Sequence, residues 1–212
     1  MHIKLTTCRI SLLSLLLVIS ISISRAGDTT FPPLSSNAVE GKLTNGLRYI
    51  LVPTTNQSHK IEMRMIMRIG SLVEDEEQRG CAHFLEHLAF EGTKHFPNRT
   101  MIQAFEAQGM KYGRDINAFT GFDRTIYSLS LPITSAQQRF EILQLALHSA
   151  SDWLGAIDIS TSHVENEKGT IIEELRSYTL PDDFYTLKIG TGRYSKRMPL
   201  GSEQEIKAVT PK

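Results

Sequence analysis

Cysteine is scarce in this 212-residue chain, which has only Cys8 and Cys81. Two such residues allow one disulfide at most, and none once Cys8 is removed with the leader argued below. An exported fold without disulfides is held by its core, by a metal or by a partner. An excess of charge is also missing: 23 basic residues face 23 acidic ones. That balance argues against a nucleic-acid binder, which carries a basic patch or stripe. Internal repeats and low-complexity tracts are absent too, and the only long apolar run lies at the start.

That run, ISLLSLLLVISISIS, follows Lys4 and Arg9 with no acid between, and leads into Ser24-Arg25-Ala26. It is about 15 residues long, short of the ~20 that span a bilayer. Basic start, apolar middle and small residues at the end predict a secretory signal peptide over 1–26, cleaved after Ala26. Cleavage takes away Lys4, Arg9 and Arg25, leaving 20 basic and 23 acidic residues and a net charge of −3. The expectation is export to the periplasm or beyond, with no stable membrane span afterwards.

Residues 27–40 read as an extended linker, and 41–212 as one domain. LTNGLRYILVP (43–53) places an Asn-Gly turn before a strand. Along 60–69, Ile61, Met63, Met65, Met67 and Ile69 alternate with Glu62, Arg64 and Arg68, the pattern of a half-buried strand that stops at Gly70. Helices are predicted over 79–91, 100–109, 135–154 and 162–178, with a further helical piece near 182–192. Strands are predicted over 115–120 and 124–131. In the helix 135–154, Phe140, Leu143, Leu147 and Ala150 form the expected buried stripe. Elements mixed without βαβ regularity predict an α+β fold: a single, largely antiparallel sheet with helices packed on one face. The final KAVTPK places Thr-Pro where an element usually opens, so the chain reads as a fragment cut short.

The most informative stretch is GCAHFLEHLAF, residues 80–90. His83 and His87 stand four apart, on one face of a helix and one turn from each other. Two imidazoles so placed can share a zinc ion. Glu86 borders that face and is placed to take a proton from a water that zinc acidifies. With 7 His and 15 Glu in the chain, chance would produce this pattern about 0.02 times. A catalytic zinc needs a third protein ligand, and ENEKGTIIEELR (165–176) offers candidates. At about 100° per residue, Glu174 and Glu167 lie about 60° and 40° from the inward Ile171, and Glu173 about 200° away. Glu167 and Glu174 are roughly 10 Å apart along the axis. Only one of the two can bind the ion, and the other would support the site.

These residues sit in a series of blocks: LTNGLRYILVP, RGCAHFLEHLAFEGTKHFP, INAFTGFDRTIYSLSLP, ENEKGTIIEELRS and YSKRMPLGSEQEI. Their order resembles the pitrilysin/insulinase family of zinc metallopeptidases, whose inverted motif is H-x-x-E-H. Among bacterial members it is similar to the exported zinc-protease branch. The resemblance implies a domain like that of the mitochondrial processing peptidase, holding one Zn2+. It implies His83, His87 and Glu174 as metal ligands, Glu86 as general base and Glu167 as an accessory acid. Asn117, Ala118 and Phe119 would form the edge strand that pairs with an extended polypeptide substrate. The implied reaction is peptide-bond hydrolysis. The resemblance also implies a second, related domain or subunit that closes the site, and the sequence reads as ending before it. The alternative is a non-catalytic domain that binds polypeptide or supports a partner.

Overall fold

The computed structural model describes residues 37–54, 59–178, 192 and 194–211. The expected signal peptide and most of the 182–192 helical piece fall outside them. Two compact units divide the chain at residues 56 and 57. The first contains a hairpin of β1 (Val39–Lys42) and β2 (Arg48–Leu51), paired antiparallel. Asn45-Gly46 makes its turn: Gly46 has φ +93°, and Asn45 Oδ1 accepts from the Leu47 amide. Among the described residues the hairpin pairs only with itself, and helices mixed with antiparallel sheet are the α+β class that the sequence predicts.

The second unit holds every residue of the candidate site. Its sheet has β3 (Lys60–Met67), β4 (Ile116–Thr120) and β5 (Thr125–Pro132) in the antiparallel order β3-β5-β4. In β5, Thr125, Tyr127, Leu129 and Leu131 are buried and the residues between them less so. That period of two sends one face to the core. Met65 and Ala118 flank Tyr127, and Met63 and Ile116 flank Leu129. On the open face, Ile66 and Phe119 stay exposed.

The covered face carries α1 (Cys81–Glu91), α2 (Thr100–Ala107) and α3 (Ala136–Trp153) around one core. α4 (Thr161–Ser177) and the short α5 (Glu203–Ala208) pack beside α1 through Phe84, Leu88, Val164, Ile171, Ile172 and Ile206. Half of the expected α3 stripe faces the core: Ala150 is buried and Leu143 packs against it. Phe140 and Leu147 are each 61% exposed, whereas Ile142, Ala146, Ser149, Ala150 and Trp153 are buried. Both stripes satisfy helical spacing. The sheet takes the one rich in small residues, which lets the backbones approach closely. Ile69, assigned to the inward face by alternation, is also exposed, because it lies just past the end of β3.

α1 is held at both ends. No side chain of its own caps the N-terminus, where Gly80 has φ +80°. Glu74 reaches over instead, accepting from the Gly80 amide at 3.0 Å and the Ala82 amide at 2.8 Å. At the other end, Trp153 Nε1 donates to Ala89 O at 3.1 Å, and its ring stacks on Tyr127. The following loop is tied to buried Asp152, which accepts from Thr93 Oγ1 at 2.6 Å and the His95 amide at 3.0 Å. His95 also holds Asp152 through its ring, Nδ1 lying 2.6 Å from Oδ1. Glu74→Ala should lower unfolding free energy by about 2–6 kcal/mol, since it orphans two donors at about 1–3 kcal/mol each. An unchanged denaturant midpoint would show that Glu74 does not hold this helix.

Candidate metal centre

The packing of α1 against α4 brings together residues about 90 positions apart. His87 Nε2 lies 3.0 Å from Glu174 Oε2, and His83 Nε2 lies 3.6 Å from the same oxygen. The two imidazole rings meet edge to face, with centroids 4.6 Å apart. One ligand atom from each of His83, His87 and Glu174 lies within 4.8 Å of the others. Tetrahedral zinc, with bonds of ~2.0–2.2 Å, places its ligand atoms roughly 3.3 Å apart. Two nitrogens and one carboxylate oxygen therefore suit such an ion in number, type and spacing. Among the described residues, the buried Nδ1 of His83 has no hydrogen-bond partner.

Glu167 occupies a different place from Glu174. Its Oε1 lies 2.9 Å from His87 Nδ1, on the far side of the ring, and its side chain is buried. A proton held on Nδ1 between these atoms leaves the Nε2 lone pair free to face Glu174 and His83. A carboxylate behind a ligating histidine fixes its tautomer and raises its basicity. The seven-residue spacing thus serves both acids, one on each side of His87. Glu173 points outward and pairs with Arg176, as its angle on the helix predicts.

The two carboxylates change His87. Burial pushes its pKa down, but hydrogen bonds to Glu167 and Glu174 outweigh this and raise it from 6.5 to about 9. His83 and His87 in turn hold Glu174 well below the usual carboxylate range. In the metal-free protein the His87 pairs therefore stabilise the fold fully below about pH 6.5, and that contribution disappears as pH rises through about 9. A metal must displace the His87 proton. Up to about pH 8, close to one proton should leave His87 per ion bound, and about half a proton at about pH 9. Because a water on the ion would lose a proton of its own near neutral pH, the His87 share is read by following its imidazole by NMR as metal is added. An imidazole already neutral at about pH 7.5 in the metal-free protein would contradict the His87 assignment.

Glu86 faces the sheet. It is buried, and its Oε2 accepts from Thr120 Oγ1 at 2.6 Å. Burial raises its pKa, against the opposing effect of the Thr120 hydrogen bond and the two histidines. Asn117, Ala118 and Phe119 immediately precede Thr120 on β4. β4 lies at the edge of the sheet; among the described residues its outer side is bridged at Ile116, by Tyr112, and Asn117 and Phe119 beyond it are exposed. Cys81 is half-buried, and burial followed by the Glu74 charge raises its thiol pKa, which keeps it protonated.

Sequence reasoning missed Thr120 and Glu74. Thr120 could have been found, because it is the next inward residue after Ile116 and Ala118 at period two. Glu74 carries no such signal in the acid-rich stretch EDEEQ.

A sequence model of the insulinase family, peptidase family M16, matches residues 49–183. The chain belongs to this insulinase family of peptidases. The probable zinc protease PqqL of Haemophilus influenzae is 34% identical over 99% of this chain and 22% of its own length. The Escherichia coli protein of the same name is 33% identical over 84% of this chain and 19% of its own. The crystal structure of the first half of the periplasmic protease PqqL from Escherichia coli matches with a TM-score of 0.75 at 32% identity. That match covers 84% of this chain and 38% of the other. The chain spans about a fifth of the length of these curated relatives. No helix among the described residues is long and apolar enough to cross a membrane.

Proposed function

We propose that the chain is the zinc-bearing part of a metalloendopeptidase that hydrolyses extended polypeptides. The observation that carries this reading is the convergence of His83, His87 and Glu174, with Glu86 buried beside them. His83, His87 and Glu174 would hold the zinc, and Glu167 would orient His87. Bound there, the ion supplies Lewis-acid polarisation and acidifies water toward neutral pH. Three protein ligands leave a position open, as in catalytic and not structural sites. Glu86 takes the proton of the attacking water and passes it to the leaving amine. The free edge of β4 at Asn117, Ala118 and Phe119 receives the substrate backbone as an added strand, which suits extended chains of varied sequence.

A second domain or subunit of the same family would complete the site, in keeping with the greater length of the relatives. The leader-like start and the periplasmic relative support export. The test is cleavage of an unstructured peptide by the purified chain, alone and with such a second domain added. Cleavage should vanish with a chelator and return with zinc. If zinc binds tightly and neither preparation cuts peptide, the chain is a polypeptide-binding domain instead.

A further inference from the structure

Thr120 is not a residue that the motif or the family resemblance singles out, yet it makes the shortest side-chain contact to Glu86. Its hydroxyl is buried and has one proton to donate. Two acceptors stand near it: Glu86 Oε2 at 2.6 Å and Thr125 Oγ1 at 3.4 Å. Thr125 spends its own proton on Ile69 O at 3.0 Å, so it does not donate back at the same time. The shorter distance and the charge of the carboxylate both direct the Thr120 proton to Glu86. One carboxylate oxygen is thereby tied to the sheet. The other, Oε1, has no hydrogen bond from the described side chains.

Thr120 also ends β4, directly after Asn117, Ala118 and Phe119. We propose that Thr120 is a positioning residue. It fixes the Glu86 carboxylate so that Oε1 meets the water, and it links the base rigidly to the strand that receives substrate. This rests on Glu86 being the base. A base held by one fixed hydrogen bond avoids reorganisation during proton transfer, and errors of about 1 Å in such geometry cost on the order of 100-fold in rate.

A readout other than turnover separates this from a merely structural role. A short peptide hydroxamate binds zinc and shares its hydroxyl proton with a nearby base. Its affinity would be measured by calorimetry on the zinc-loaded chain, beside the affinity for zinc itself. The variants are Thr120→Val, Thr120→Ser, Glu86→Gln and the double variant Glu86→Gln/Thr120→Val. Hydroxamate affinity should fall roughly tenfold in Thr120→Val, in line with the loss of one hydrogen bond to a charged group. It should return in Thr120→Ser, and zinc affinity should stay within about twofold throughout. In the Glu86→Gln background, Thr120→Val should add nothing. Wild-type affinity in Thr120→Val, a loss that serine does not restore, or a further loss in the double variant would overturn the proposal. If Glu86→Gln binds hydroxamate as well as wild type, the reading of Glu86 as base fails, and the proposal with it.

Discussion

Glu86→Gln should lower peptide cleavage roughly 100- to 10,000-fold, the range attributed to a positioned acid–base group. Zinc content should not change. The side chain is buried beside the metal group without belonging to it, and its contact runs to Thr120 and not to His83 or His87. Glutamine keeps the shape and can still accept from the Thr120 hydroxyl, so the fold and the metal ligands have no reason to move. It cannot hold the proton. Burial already raises the Glu86 pKa above its ordinary value, which makes its carboxylate a stronger base. Comparing kcat at equal metal loading decides the matter. A variant that keeps the wild-type rate would assign the base to another group, and one that loses zinc would make Glu86 part of the metal site.

Glu174→Ala should weaken zinc binding by more than about 100-fold, beyond the ~10- to 100-fold typical of losing a group behind a ligand. Glu174 alone faces both imidazoles, at 3.0 Å and 3.6 Å. Its removal leaves two neutral ligands and no anionic one. Glu167→Gln should fall in the lesser range, because glutamine can still hold one orientation of His87. Glu173→Gln, on the outer face of α4, should match wild type. Competition with a chromophoric chelator ranks all four proteins. If Glu167→Gln proved worse than Glu174→Ala, the two acids of α4 would have to exchange roles. His87 gives a second readout. Without Glu174 it loses one of the two carboxylates that raise its pKa, so its imidazole should titrate lower in the metal-free protein.

Local pattern determined much about this protein. The four-residue spacing of His83 and His87 is a property of any helix, and it placed both rings on one face before any packing was known. The alternation in KIEMRMIM and TIYSLSLP likewise marked β3 and β5, because a strand sends neighbouring side chains to opposite faces. Angle around α4 separated Glu173 from Glu167 and Glu174. It could not say which of the latter faces both imidazoles, since both lie near the inward stripe. That choice was made by the docking of α4 on α1, which places Glu174 at His87 Nε2 and Glu167 at Nδ1. Tertiary packing also decided the buried side of α3, where two apolar stripes competed and closeness to the sheet favoured small residues. The Glu74 cap on α1 and the Thr120 hold on Glu86 were settled in the same way. Both join residues that are remote in sequence or on different elements. Periodicity describes one element at a time, and the hydrogen bonds that fix this site form only where two elements meet.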